Sequence, residues 1–405
     1  MWTRTVCVAV ALVSLSVPAA GQTVLSEADA LARLSADSPR VRAIRTAVDV
    51  ARAEALAAGR WPNPRVTVDR EAVAGVSETM TTILQPLPIT GRRGLERSAA
   101  SALATAAQSR TDDEVRRVRA DLRAAYADLV AAQTSERQLA STRDRLQGLA
   151  EVLAKREAAG DAAGFDRLRA EREVLDADAD HSAAATERAR AQGALAAFFA
   201  GPIDPSTIVV ADVPVAARVE LPSVEALIMR AEATRGELIA LRQEAESARL
   251  LGRAADRRWI PEPELLVGTK KSTAAGGDMG SVISVQAVLP VFDDGGPERA
   301  IAAARAAQAQ ARAATLTTSL RAEIGSLRAA VTERRSAADR YRASTGADQI
   351  ERIAQVSYEA GERGILELLD AYRVNTAARI RQTALDAAAR RAEIELEYTT
   401  GWELP

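Results

Sequence analysis

The sequence predicts a mainly α-helical protein with a small β part, laid out as a duplicated helix–strand–strand–αα-hairpin module. Internal repetition is the first observation behind this reading. Trp61-Pro62-Asn63-Pro64 returns as Trp259-Ile260-Pro261-Glu262-Pro263, and Gln85-Pro86-Leu87-Pro88-Ile89 returns within Gln286 to Val291. Gly160 to Ala170 then aligns without a gap on Gly361 to Ala371. Matched landmarks in one order, separated by long tracts, describe a whole repeated module and not a solenoid turn. Proline placement is the second observation: none falls between Pro88 and Pro202, or between Pro297 and Pro405. Both intervals are dominated by Ala, Arg, Glu, Leu and Gln, which lose little side-chain freedom in a helix. The two modules cover residues 22–210 and 211–405.

The chain opens with a processing signal over residues 1–21. Arg4 gives a positive start, Val6 to Val17 is an apolar run too short to span a bilayer, and Pro18-Ala19-Ala20-Gly21 offers small residues for cleavage near Gln22. A helix from Glu27 to Arg60 follows, with Pro39 near its start. Ser26 supplies its cap, and Glu27 and Asp29 place acids in its first turn. Two strands come next, at about 64–73 and 76–88, each long enough to cross a bilayer at a tilt. The long hairpin 92–200 turns at Gly160 and Gly164, and its first arm, 92 to 158, spans roughly 90 to 100 Å at about 1.5 Å per residue. The second module repeats the order. A helix from Ser223 to Arg258 is capped by Ser223 with Glu225. Strands at about 262–271 and 280–290 flank the polar loop Lys270 to Asp278. The hairpin 298–402 has its first arm over 298–359 and one break, at Gly361 and Gly364.

Apolar residues along the first arm are sparse: Leu122, Ala125, Tyr126, Leu129 and Val130, then Leu139, Leu146, Leu149, Val152 and Leu153. So narrow a stripe suits helices packed side by side in a coiled coil or tube. An aromatic content of 3% agrees, since a thick core needs large side chains.

Composition also bounds the chemistry. The balance of 53 basic against 55 acidic residues, with acids interleaved among the arginines, argues against nucleic acid as a partner. Cys7 is the only cysteine and lies in the expected signal, so export leaves no disulfide and no thiol chemistry. His181, the only histidine, sits among Asp176, Asp178 and Asp180 and reads as a solvated surface side chain. Nucleophilic triads, histidine acid–base pairs and zinc-ligand spacings are not found. The chain is read as a non-enzyme, with no cofactor and no resident metal.

After the signal no run of about 18 apolar residues appears, so a bilayer could be crossed only by the strands. Four strands per chain cannot close a barrel, and an open edge in lipid leaves backbone groups unpaired at several kcal/mol each. Several copies would have to share one barrel. Three copies supply twelve strands.

At the level of family, three motif groups in order carry a resemblance. Trp61-Pro62-Asn63-Pro64, Gln85-Pro86-Leu87-Pro88 followed by Thr90-Gly91-Arg92-Arg93, and Tyr358-x-x-Gly361 leading to Leu369-Asp370-Ala371 resemble the TolC-type outer-membrane channel family, over essentially the whole mature chain. The resemblance implies a homotrimer: a shared 12-strand transmembrane β-barrel above a long periplasmic α-helical tube. It implies an exit duct of a tripartite efflux pump or of a type I secretion system. The partners implied are further copies of the chain, a periplasmic adaptor (membrane fusion protein), an inner-membrane RND-type transporter and outer-membrane lipid. Gly91-Arg92-Arg93 looks most like the heavy-metal (cobalt–zinc–cadmium type) branch, although the same residues read equally as a strand-to-helix turn. A soluble periplasmic coiled-coil adaptor or scaffold would share the Ala/Arg/Glu hairpins, but with one hairpin in place of two equivalent modules.

The resemblance also assigns roles by position. Asp166 at the first hairpin tip, and Tyr358 and Arg363 at the second, match residues that hold neighbouring helix pairs shut at a periplasmic gate. Glu367 and Asp370 match an acidic pair facing the constriction, and their spacing of three puts both on one helix face. The family often carries Asp where Glu367 stands. Without the resemblance, Arg363, Glu367 and Asp370 read as an ordinary charged helix face. Gly160, Asp161, Gly164 and Phe165 at one tip, with Gly361, Glu362, Gly364 and Leu366 at the other, match the places where the adaptor's hairpin docks.

Overall fold

The computed structural model describes residues 24–34, 38–160, 164–201, 203–212, 219–344 and 346–402. The expected signal, residues 1–21, and the expected docking residue Asp161 lie outside them. The first module runs β1 (Val24–Leu25), α1 (Glu27–Arg33), α2 (Pro39–Ala58), β2 (Arg65–Val73), β3 (Val76–Pro86), α3 (Arg92–Ala158), α4 (Gly164–Ala196) and β4 (Val209–Val210). The second runs α5 (Val224–Thr234), α6 (Gly236–Ala255), β5 (Pro263–Ser272), β6 (Asp278–Ala287), α7 (Gly296–Ala343), α8 (Gly346–Glu359) and α9 (Ile365–Thr400). Among the described residues no helix is long and apolar enough to cross a membrane.

Three expected helices differ. The helix expected over Glu27 to Arg60 is two helices, because Pro39 can begin a helix but cannot continue one through its missing N–H. Ser38 caps the second piece by accepting from the Val41 N–H. The helix expected over Ser223 to Arg258 breaks at Arg235, whose ψ of 112° is extended. There α6 starts against α3 so closely that a Cβ on Gly236 would run into the Ser109 carbonyl. The arm expected over 298–359 ends at Ser344 with ψ 103°, and α8 starts afresh at Gly346. The second tract is therefore broken twice, not once.

Four strands form one antiparallel sheet in the order β2-β3-β5-β6. Each module contributes a hairpin, and β3 meets β5 at the boundary between modules. The β2–β3 turn uses Gly75 at φ +84°, the left-handed region open to glycine. Below the sheet, α3 is flanked by α2, α4, α6 and α9.

The helices are held by three small apolar clusters strung along their length. One joins Leu122, Tyr126 and Leu129 of α3 to Leu195, Phe198, Phe199 and β1/β4. Another joins Leu227 and Ala231 of α5 to Ile324, Val331 and Leu396. The last gathers Leu146 and Leu153 of α3, Ala170 of α4, Ala354 of α8, and Ile365, Leu368, Leu369 and Tyr372 of α9. Packing this thin needs polar supplements. The Tyr126 hydroxyl lies 2.9 Å from the Leu25 carbonyl and 3.0 Å from that of Ala211, tying both ends of the first module to α3. The Gln133 amide donates to the Val210 carbonyl at 3.1 Å and accepts from its N–H at 3.0 Å, standing in for a missing strand.

An ionic chain crosses the modules at the same level. Arg123 pairs with Glu397 and, at 2.6 Å, with Glu27. Glu27 also meets Arg390 at 3.0 Å, Arg390 meets Glu393 at 3.5 Å, and Glu393 meets Arg335 at 2.6 Å. Arg335 then donates to the Val219 carbonyl. Burial would raise the Glu27 carboxyl, but Arg390 and Arg123 outweigh it and hold its pKa below the ordinary value.

Candidate functional site

Two places present residues that packing leaves free: the hairpin tips and the sheet. At the second tip, α8 closes with a complete capping pattern. The Gly361 N–H donates to the Tyr358 carbonyl at 3.0 Å and the Glu362 N–H to that of Ser357 at 2.9 Å, which satisfies the last carbonyls of the helix. The geometry needs φ +73° at Gly361, and Gly160 does the same work after α3 at φ +84°. Space around both glycines is open. At the first tip Arg167 bridges Glu157 of α3 and Glu171 of α4, both at 2.5 Å, and so clamps the hairpin.

The two tips lie side by side because the lowest apolar cluster contains helices from both hairpins. Ion pairs reinforce it: Arg373 of α9 reaches Glu173 of α4, and Arg145 of α3 reaches Glu351 of α8. Of the expected gate residues, Tyr358 packs against this cluster, while Arg363, Glu367 and Asp370 are exposed and Asp166 is half-buried. Among the described residues no side-chain hydrogen bond or ion pair reaches Asp166, Arg363, Glu367 or Asp370, so the chain by itself does not join Asp166 to Arg363. Glu367 and Asp370 share the outward face of α9, whose inward face is Ile365, Leu368 and Leu369.

Of the expected docking residues, Gly160, Gly361, Glu362 and Leu366 are exposed, Phe165 is 68% exposed, and Gly364 caps α9. Sequence reasoning missed the apolar residues around them. Leu168 on α4 and Ile350, Ile353 and Val356 on α8 are all exposed. Their i, i+3, i+6 spacing within a charged helix was the available signal.

Alternation gives the sheet two unlike faces. Val66, Ile83, Val267 and Ile283 stand directly opposite one another across all four strands, on one face. All four are exposed. Beside that row lie Leu265 and Val285; towards the strand-joining turns the same face ends in Arg70 and Lys271. The other face carries Thr67, Thr82, Asp69 and Lys270, and ends in the cross-strand row Glu71, Glu78, Ser272 and Asp278. Lys270 pairs with Glu78 at 2.6 Å. Among the described residues β2 and β6 each leave one edge unpaired.

Gly91-Arg92-Arg93 is a strand-to-helix joint. Gly91 caps α3 at φ +70°, Arg92 pairs with Glu96 and Glu262, and Arg93 donates to the Arg60 carbonyl at 2.5 Å. Gly295 caps α7 in the same way at φ +80°, above Arg258 paired with Asp293 and Glu298. His181 lies on α4 with Nδ1 3.4 Å from an Arg143 nitrogen. Among the described residues no group of three or more His, Cys, Asp or Glu side chains is placed to hold a metal ion.

No family model matches the chain, and no curated protein matches it. Solved structures do. A membrane protein from Pseudomonas aeruginosa superposes with a TM-score of 0.76 at 18% identity, covering 92% of this chain and 90% of its own. The outer membrane protein VceC from Vibrio cholerae gives 0.72 at 16% identity, covering 93% and 96%. The CmeC outer membrane channel of Campylobacter jejuni gives 0.73 at 12% identity, covering 98% and 94%. Across such coverage the fold of this chain is the fold of those outer-membrane channels.

Proposed function

We propose that the protein is the outer-membrane exit duct of a tripartite efflux pump, a homotrimer whose barrel lies in the outer membrane and whose helices extend into the periplasm. One observation carries the reading: a four-stranded sheet with an exposed apolar face on one side, a polar face on the other and two open edges, set on helices of up to 67 residues. Such a sheet is stable in lipid only when its edges are closed by further copies, its apolar face turned outward and its polar face lining a lumen. The likeness to solved outer-membrane channels supports the same reading. In this reading the duct conducts passively, and its partners are a periplasmic adaptor at the tips and an RND-type inner-membrane transporter beyond it. Type I secretion is the alternative assembly, and a soluble adaptor is disfavoured by the sheet.

The gate in this reading consists of Asp166, Tyr358 and Arg363 linking neighbouring hairpins, with Glu367 and Asp370 facing the axis. Among the described residues no side-chain hydrogen bond or ion pair reaches Asp166, Arg363, Glu367 or Asp370, which supports it, because groups left unpaired by one copy are available to the next. Metal cations are the proposed cargo, with drugs the alternative; the Gly91-Arg92-Arg93 resemblance alone supports metals, and in the structure those arginines brace a joint. Separation of inner from outer membranes, followed by mass determination in detergent, is expected to find trimers in the outer membrane. A soluble periplasmic monomer would overturn the proposal. Cargo is tested by comparing the sensitivity of a deletion strain to zinc, cobalt and cadmium with its sensitivity to drugs.

A further inference from the structure

We infer that β6 of one copy pairs antiparallel with β2 of the next in a single register, Gln286 opposite Thr67, and that α7 of the first copy covers α2 of the second. The inference rests on the duct reading and deepens it by specifying the seam between copies. The register follows from the duplication. Laying Pro64 on Pro263 and Pro88 on Pro290 transfers the β2–β3 pair Arg65 opposite Leu84 onto Glu264 opposite Gln286, which is a pair that β5–β6 makes. The same superposition carries the boundary between modules onto the boundary between copies. Leu84 opposite Leu266 becomes Gln286 opposite Thr67, and Ile83 opposite Val267 becomes Val285 opposite Val68. Each transferred pair keeps its face: Val285 and Val68 both extend the apolar side, Gln286 and Thr67 the polar side. A slip of one residue would turn the polar residues of one edge into the lipid, so the register is strongly specified.

The helices give a second, independent line. Within the chain α6 lies between α3 of the preceding module and α7 of its own, whereas among the described residues its counterpart α2 packs chiefly on α3. Laying the 20-residue α2 on the 20-residue α6, Pro39 on Gly236, matches Ala43, Val50 and Ala57 of α2 to Ala240, Ser247 and Ala254 of α6. The three on α6 are buried and the three on α2 are exposed. One repeat thus shows covered the face that the other leaves bare. The helix that covers α6 from the preceding module is α3, whose counterpart is α7, so the occupant is α7 of another copy. That helix leaves Ala304, Ala307, Ala311 and Ala314 exposed at heptad spacing, a flat surface against which a helix can pack closely.

Cysteine pairs in a Cys7→Ser background test the register. Diamide takes two hydrogens from two facing thiols, leaving a disulfide and the reduced hydrazine. Thr67→Cys with Gln286→Cys is expected to give covalent dimers and trimers on a non-reducing gel that collapse to monomer with dithiothreitol. Thr67→Cys with Ser284→Cys, and Asp69→Cys with Gln286→Cys, place the partners diagonally, at about 7–8 Å. That exceeds the roughly 7 Å beyond which a disulfide needs backbone movement, so these pairs are expected to cross-link at least about tenfold more slowly. Leu84→Cys with Leu266→Cys, the same position inside the chain, controls for oxidation by loss of free thiol. Faster linkage of either diagonal pair overturns the register, as does a trimeric native mass with no linkage in the Thr67/Gln286 pair. A monomeric native mass of the Cys7→Ser parent sinks the seam and the duct reading together. For the helical half, Val50→Glu is expected to lower the trimer's resistance to dissociation by detergent, with helicity by circular dichroism retained; an unchanged trimer overturns that half.

Discussion

Among single residues, Arg123 carries the most. It is the cation between Glu397, whose side chain is 4% exposed, and Glu27 on the N-terminal helix, and so joins three helices from both modules. Arg123→Ala leaves a buried carboxylate without its partner, a change that costs on the order of 3 kcal/mol. A urea midpoint in detergent is expected to fall accordingly. The effect has a defined pH dependence. Glu27 is held below its ordinary value of 4.5, so its pairing stabilises fully above that pH and is lost as the pH falls through the lowered folded value. The gap between the parent and Arg123→Ala is therefore expected to be constant near neutrality and to narrow below pH 4.5. A gap that widens in acid would show that Glu27 is not the partner that matters.

The elements show which parts of the fold were legible in the sequence. The arm 92–158 was readable because proline is absent from it and Gly160 ends it with a positive φ that other residues resist. The strands were readable from Trp-Pro and Leu-Pro brackets around alternating segments. The breaks at Arg235 and Ser344 were not, because neither has a proline. The first is dictated by how closely Gly236 approaches the Ser109 carbonyl, a tertiary contact, and the second lies in a Ser-Thr-Gly run whose cost a helix can often absorb. The buried network Gln133–Val210 was equally invisible, since any of several glutamines on α3 could have filled that place. The strand-to-helix joints make a comparison of their own. Gly91 and Gly295 both sit at positive φ, so alanine strains each by about 1–2 kcal/mol. A Cβ at Gly91 meets only the mobile end of Arg257, whereas at Gly295 it meets the backbone carbonyl of Ala255. Gly295→Ala is expected to lower the melting temperature more than Gly91→Ala; the reverse order would mean that the Arg257 contact is the stiffer one.

Across the whole molecule, the proposed duct turns on what three copies would bring together at the tips, and the site proposed there rests on the resemblance: exposure alone does not separate Arg363, Glu367 and Asp370 from other charged helix faces. Docking can be tested without disturbing the backbone. Gly160 and Gly361 stand in open space at positive φ, where asparagine is the best-tolerated side chain, so Gly160→Asn with Gly361→Asn adds bulk at both tips with little strain. The trimer is expected to survive and efflux to be lost; unimpaired resistance would place the adaptor elsewhere. The gate needs a different pair of measurements. Arg363→Ser with Tyr358→Phe removes the proposed links to Asp166, each worth about 0–1 kcal/mol when exposed, so the tip loosens and single-channel conductance in planar bilayers rises. Glu367→Ala with Asp370→Ala removes six carboxylates from the axis of a trimer, and the negative potential that concentrates cations there falls with them. Cation selectivity and block by multivalent cations are expected to drop in this second variant without the conductance gain of the first. Selectivity will not vanish, because Glu71, Glu78 and Asp278 keep a separate acidic row on the polar face of the sheet. Intact trimers in which neither variant changes conductance or selectivity would reduce these tip charges to a solvated helix face and move the closure of the duct to another level of the molecule.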